Sequence, residues 1–349
     1  MRKVERCPLC DAAVGLAATG CAATDYLTGD AFTVRRCGSC GLEFTDPLPD
    51  CEDEFRRYYP QDDYYGAEGG RRFKGPLEWM VRAFRRRRAR RVLALKPRGR
   101  ILDIGCGRGL LLRFLKERGW QCSGTELLEP LARFLSAAYG LDVRACGVRD
   151  CRFAPGEFDV VTMYHVLEHL GDPRETLREV RRILRPDGVL VVEVPNAASV
   201  QSRLSGSRWF HLDVPRHAVH FTPATLRRML EECGFAAAAV GGFSAEYDPY
   251  GLVQSLLNLA GCRMNFLCRL LRREGSAMTG AKAWLYDLPL SVLAGMLLIM
   301  PATVLEALAS CVRRNGTLRF VCRPASVGAG DSGTDRGANG TGPASSVIP

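Results

Sequence analysis

With 349 residues and a 47% hydrophobic composition, the chain can bury a full core for one large domain with appendages or for two domains, which excludes disorder throughout. A formal net charge of +10, carried largely by arginine, favours an anionic partner such as RNA, a phosphorylated substrate or an acidic membrane surface, without choosing among them. Fifteen cysteines behind a charged start that lacks an apolar core fit a reducing, cytoplasmic setting in which thiols are buried or hold metal.

Four of those cysteines come in two knuckles, Cys7-Pro-Leu-Cys10 and Cys37-Gly-Ser-Cys40, the second followed by Gly41. This is the spacing of a zinc ribbon, and four thiolates around zinc leave no open position for water, so the expected metal is structural. Asp11 departs from the pattern, standing where many ribbons place a second glycine, and Cys21 is a spare thiol. Cys106, Cys122, Cys146, Cys233 and Cys262 stand singly and read as small hydrophobes.

The ribbon is expected over residues 1–48, and a linker with a helical cover over 49–96. Pro, Gly, Asp and Tyr crowd residues 43–75 without a sustained period, which reads as linker. From Pro76 to Leu95 the positions of Leu77, Met80, Val81 and Phe84 predict a helix. Its Arg85–Arg91 run reads as a solvated face or a contact for a phosphate-rich partner.

Next, "RILDIGCGRGLLLRFLKERGW" predicts a strand at Ile101–Ile104, a turn through Gly105, Gly107 and Gly109, and an amphipathic helix. Glycines there let a cofactor approach the backbone amides at the helix start. A second strand, Gln121–Thr125, ends in Glu126, about 20 residues after the turn, where a carboxylate can accept from both ribose hydroxyls. The pair indicates an adenosine cofactor. A dinucleotide turn reads GxGxxG, whereas this one is shorter and follows Asp103, which would repel a pyrophosphate and suits the amino group of a methionine moiety.

Taken with "GTELLEP", "FDVVTMYHVLEHL", "EVRRILRPDGVLVVEVPN" and "HFTPATLRRMLEECGF", this segment resembles the successive signatures of class I S-adenosylmethionine-dependent methyltransferases. The resemblance implies that Asp103, Gly105, Gly107 and Gly109 hold the methionine part and Glu126 the ribose. It offers Asp150 for the adenine amino group and Tyr164 or His165 near the sulfonium. The implied fold is α/β: a doubly wound Rossmann-like methyltransferase sheet with a small N-terminal zinc ribbon and a C-terminal hydrophobic helical insertion. The cofactor-binding core is expected over 97–246, the insertion and closing strand over 247–323, and a disordered tail over 324–349.

His165-x-x-Glu168-His169 has the letters of an inverted metallopeptidase motif, but Phe158–Met163 reads as a strand, so both histidines lie at a strand end and not inside one helix. The turn also resembles one in ubiquinone-pathway O-methyltransferases that holds a divalent ion through an acidic pair and a histidine. Here a histidine replaces the first carboxylate, and a pocket-shaping role is expected instead. Downstream, "SGSRWFHLDVPRHAVHFTP" breaks the periodicity with aromatics and histidines before a helix starting at Thr222-Pro223. His217 is the expected general base, with His165 beside the reacting centre. A similar loop in sugar C-methyltransferases carries Glu-His, and Arg216-His217 departs from it. Tyr58, Tyr59, Tyr64 and Tyr65 are expected to cover the substrate side.

Leu288–Leu305 is uncharged and meets the lower limit for a membrane span. Pro289 and Pro301 divide it, and Thr317–Cys322 alternates as a closing strand that a span would separate from its sheet. Residues 288–312 are therefore expected either to pack on the fold or to dip peripherally into one leaflet of the inner membrane surface, flanked by Arg269, Arg272, Arg273, Lys282, Arg313 and Arg314. The expected function is methyl transfer from S-adenosylmethionine to an oxygen of a small-molecule, saccharide or lipid-linked acceptor. An RNA acceptor is disfavoured, because the fourth strand lacks the Asn/Asp-Pro-Pro-aromatic turn used on base amines. A non-catalytic adaptor is disfavoured by the complete glycine turn and Glu126.

Overall fold

The computed structural model describes residues 1–14, 20–59, 75–272 and 278–325; Tyr64, Tyr65, Arg273 and the tail from residue 326 lie outside them. β1 (Gly20–Thr24), β2 (Ala31–Arg36) and β3 (Glu43–Asp46) form an antiparallel meander beside the two cysteine turns. Gly41, at φ 75°, donates to the Cys37 carbonyl, and Asp11 repeats that turn at φ 57°, donating to Cys7, so an aspartate tolerates the left-handed position expected of a glycine. Since Glu43–Asp46 is a strand, the first residues of the expected linker belong to the ribbon. α1 (Glu52–Tyr58) and α2 (Pro76–Leu95) follow, α2 opening on a proline at its first turn, where no amide donor is needed.

The central sheet begins with β4 (Arg100–Ile104), followed by α3 (Leu110–Lys116), β5 (Gln121–Thr125), α4 (Glu129–Tyr139) and β6 (Asp142–Arg144). The chain then returns to the other side of β4 as β7 (Phe158–Tyr164), α5 (Pro173–Ile183) and β8 (Leu184–Pro195). α6 (Val200–Ser205), β9 (Val219–His220), α7 (Pro223–Glu232) and β10 (Phe235–Gly241) follow, and Thr222 caps α7 by accepting from Thr225 as its sequence predicts. The insertion supplies α8 (Asp248–Leu259), α9 (Phe266–Leu271) and α10 (Leu288–Cys311) before β11 (Thr317–Pro324) closes the sheet.

The seven strands lie in the order β10-β11-β8-β7-β4-β5-β6. Neighbours from β8 through β6 are parallel, and β11 is antiparallel to both β8 and β10. This is the Rossmann-like methyltransferase sheet, with its reversed strand inserted next to the edge. The order in which the chain lays down strands reverses between β4 and β7, and a crevice opens at such a point beyond the strands' carboxyl ends. Apolar layers cover both faces: Leu111, Leu115 and Leu135 on one side, Leu177, Val180 and Leu226 on the other.

Two further outcomes differ from expectation. α10 runs unbroken through Pro301, preceded by a π-helical turn at Ala283–Asp287, so the proline does not divide it. Cys146, read as a lone thiol, is bonded to Cys151, five residues away across one turn.

β9 leaves the acceptor-side loop to pair with β3, making the ribbon sheet four-stranded. The buried Arg216 fixes that junction: its guanidinium donates to Asp25 (2.6 Å), Asp213 (2.8 Å) and the Tyr58 carbonyl (3.0 Å). Replacing it with methionine would leave Asp25 buried without its cation, and Arg216→Met should destabilise the protein by about 3–5 kcal/mol in urea unfolding. A cost below about 1 kcal/mol would mean the ribbon is anchored elsewhere.

The buried Glu306 of α10 accepts from Gln201 Nε2 (3.1 Å) and the Gly316 amide (2.8 Å). Burial, then the nearby Asp248, pushes its carboxyl up to about 8. The neutral acid is the folded form, so its contribution is fully present below the ordinary carboxyl range and is lost as pH rises through about 8. Thermal unfolding followed from pH 5 to 9 should show this loss in the wild type and a flatter profile in Glu306→Gln; parallel profiles would exclude Glu306 as the titrating group.

Candidate functional site

A cavity of about 540 Å³ opens at the carboxyl ends of β4 and β7. One end is the glycine turn. Gly105, Gly107 and Gly109 all take positive φ (65°, 51° and 62°), and a Cβ on Gly105 would stand 2.6 Å from Val166. Asp103 is buried near the carboxyl end of β4, and Thr162 of β7 donates to it at 2.6 Å. Burial raises its carboxyl to about 6 against that hydrogen bond. Glu126 stands across the turn, accepting from the Gly107 amide (3.0 Å) and the Leu128 amide (3.2 Å).

Asp103, Gly105, Gly107, Tyr164, His165 and His217 line the cavity together. Gly109 caps α3 just behind them. Asp150 is exposed on a turn after β6 and is not among the lining residues: Val148 turns into the core, and Arg149 and Asp150 face solvent. Of the tyrosines expected to cover the substrate side, Tyr58 is buried against Phe32 in the ribbon, whereas the Tyr59 hydroxyl reaches the Arg216 carbonyl beside His169.

Above β7 the charges form a closed set. Glu193 of β8 is fully buried and takes Arg88 of α2 (3.1 Å) on one oxygen and Arg319 of β11 (2.7 Å) on the other. Arg88 also meets Glu246 (3.2 Å) and lies 4.2 Å over the Tyr164 ring. Burial alone would raise the Glu193 carboxyl, but Arg88, His165 and Arg319 hold it well below its usual range. His165, at φ 56°, turns its ring between Glu168 (3.2 Å) and Glu193 (3.6 Å) as ion-pair contacts. Burial would lower its pKa; the two carboxylates raise it to about 10, so it is an imidazolium at neutral pH. Sequence reasoning missed Arg88, Glu193 and Glu246. The readable signal was Glu193 itself, a single carboxylate inside the buried run "VLVVEVP", which requires a cationic partner.

The remaining histidines behave differently. His217 Nδ1 lies 2.7 Å from the His211 carbonyl and His169 Nδ1 2.9 Å from the Arg216 carbonyl. A carbonyl only accepts, so both Nδ1 atoms carry a proton, and in the neutral form of either ring the lone pair is on Nε2. Burial, then His217, lowers His169 to about 4, and burial, then His165, lowers His211 to about 3. Ligand atoms of Glu168, His169 and His217 fall within 4.8 Å of one another, a set able to hold a divalent cation, with each imidazole oriented by a carbonyl behind it. Tyr164 OH, His211 Nε2 and Tyr250 OH are buried along the cavity without a hydrogen-bond partner. A cavity lined with unpaired polar atoms is built for a polar ligand.

The four ribbon cysteines also come together, Cys7 Sγ 3.5 Å from Cys40 Sγ and Cys10 Sγ 3.6 Å from Cys37 Sγ. Tetrahedral zinc with bonds of about 2.3 Å needs sulfurs about 3.8 Å apart, so the cluster fits the ion with little adjustment.

Residues 77–240 match the family described as "Methyltransferase domain". The chain is 31% identical over 155 residues to a ubiquinone biosynthesis O-methyltransferase of Aeromonas salmonicida, covering 41% of this chain and 65% of that protein. It is 30% identical over 169 residues to the protein of the same name from Thiobacillus denitrificans, covering 45% of this chain and 72% of that one. Among solved structures, a SAM-dependent methyltransferase from Archaeoglobus fulgidus matches at a TM-score of 0.44 and 21% identity, over 76% of this chain and 98% of that one. The chain belongs to the S-adenosylmethionine-dependent methyltransferases.

Proposed function

We propose that this methyltransferase transfers the methyl group to a hydroxyl oxygen of a small-molecule, saccharide or lipid-linked acceptor. The observation that carries the reading is the polarity of the cavity. Its glycine-turn end presents Asp103 to an amino group, and its other end presents the Nε2 lone pair of a His217 whose tautomer is set by the His211 carbonyl. The name shared by the two curated relatives supports oxygen as the acceptor atom.

When bound, S-adenosylmethionine supplies an electrophilic methyl on a sulfonium. Asp103 and the glycine-turn amides would hold the methionine part, and Glu126, beside the Gly107 amide, would accept from the ribose hydroxyls. Tyr164, clamped under Arg88, shapes the wall beside them. His165 stays protonated and acts electrostatically, so the expected pair of catalytic histidines divides into one fixed cation and one base. His217 Nε2 takes the acceptor hydroxyl proton as the oxygen attacks, and the protein otherwise positions the reactants. A second reading rests on the Glu168, His169 and His217 cluster: a divalent cation held there would polarise the same hydroxyl.

His217→Ala should leave S-adenosylhomocysteine affinity unchanged while turnover falls about 10²- to 10⁴-fold, with the isotopic methyl label recovered on oxygen by NMR of the product. Unchanged turnover would remove His217 from the chemistry, and label on nitrogen or carbon would contradict the acceptor assignment. Inhibition by EDTA reversed by a divalent cation would favour the second reading.

A further inference from the structure

α10 packs on α8 through Ala294 and Ala302, and with Ser291 and Glu306, which accepts from Gln201 and Gly316, these form the narrow buried stripe of small or polar side chains on its inner side. The opposite side carries Leu293, Met296, Leu297, Met300, Val304 and Leu308 in the open, Met296 at 75% exposure and Met300 at 68%. A helix of 24 residues presents this strip over about 36 Å. Among the described residues, Gly280–Cys311 is the one helix long and apolar enough to cross a bilayer, yet it is tethered at both ends. Asp287 accepts from Arg263 (2.8 Å) before its start, and β11 returns to the sheet after its end. With its inner stripe fixed to the protein, α10 can only lie along a surface.

We propose that α10 docks flat on an anionic lipid surface and that the acceptor reaches the cavity from that surface; the second clause rests on the methyl-transfer reading above. Charge favours this occupant. Lys282 precedes the helix, exposed Arg313 and Arg314 follow it, and its single acid, Glu306, faces inward. Exposed Trp284 and Tyr286 stand at its start, side chains suited to the headgroup region. A second copy on this face would meet the same cations with no outward acid on the helix to pair them. The cavity joins the strip directly. Ile299 and Thr303 of α10 line it with Leu271 and Met80, and Ile299, Leu271 and Met80 are themselves exposed at 37%, 37% and 41%. An apolar rim that continues into the docking face lets a lipid tail stay in the bilayer while its polar head enters the histidine end.

The test is co-sedimentation of the full chain with phosphatidylcholine vesicles, with and without phosphatidylglycerol, alongside sedimentation velocity without lipid. Wild type should bind the anionic vesicles preferentially. The pair Met296→Glu with Met300→Glu should lose that binding, and Arg313→Ala with Arg314→Ala should weaken it about ten-fold or more. Both variants should keep their circular dichroism and S-adenosylhomocysteine affinity. No vesicle binding by the wild type, or binding that the glutamate pair leaves intact, would overturn the proposal. So would a lipid-free dimer that the glutamate pair dissociates, which would assign the face to a second copy. Failure of the methyl-transfer reading would show separately, as absent S-adenosylhomocysteine binding in the lipid-free wild type.

Discussion

Glu193 is the charge around which the site is assembled. It stands in the interior of β8 with no access to water, so it can exist as a carboxylate only if cations are brought to it. Three come from three places in the chain: Arg88 from the cover helix, Arg319 from the closing strand and His165 from the turn after β7. Each solves a positioning problem. Arg88 presses the cover helix over the cavity and against Tyr164, Arg319 fixes the reversed strand, and His165 is turned into a left-handed backbone and held as a cation. A buried network of this kind contributes little net stability, since desolvation offsets the attraction; its effect is to make one arrangement much better than its neighbours.

A second constraint joins the ribbon to the chemistry. The loop carrying His211, Asp213 and His217 buries Trp209, Leu212 and Val214 against the ribbon's Phe32 and Val34, and its backbone is held by β9 pairing with β3 and by Arg216 reaching Asp25 and Tyr58. The same Arg216 carbonyl sets the tautomer of His169. The cysteine cluster is thus distant in sequence from the cavity-lining His211, Asp213 and His217, but the sheet beside it supports the loop that carries them.

What could be read from the sequence was what is local. Strand, glycine turn and helix follow within twenty residues of one another, and the glycines take the positive φ values that only glycine adopts readily. The closing strand was visible by its alternation. The join of β9 to β3 was not visible, because two residues give no period and their partner lies at the far end of the chain. Arg88 looked like one of a solvated run, since nothing local distinguishes the arginine whose helical phase points it at Glu193. Pro301 was read as a divider because proline breaks helix interiors, yet α10 continues through it, anchored on either side by the buried Ala294 and by Ala302 and Glu306. Asp150 was placed by loop spacing alone, and loop spacing says little about the direction a turn faces.

The central claim is that the glycine turn and Glu126 form an S-adenosylmethionine site inside this charge network. Calorimetric titration of the purified protein with S-adenosylhomocysteine, repeated on Glu126→Ala, tests it most directly. Binding that the substitution weakens by about ten-fold or more is the expected result, since one charge-assisted contact to the ribose is lost. Absence of binding to the wild type, or equal affinity in the two proteins, would contradict it.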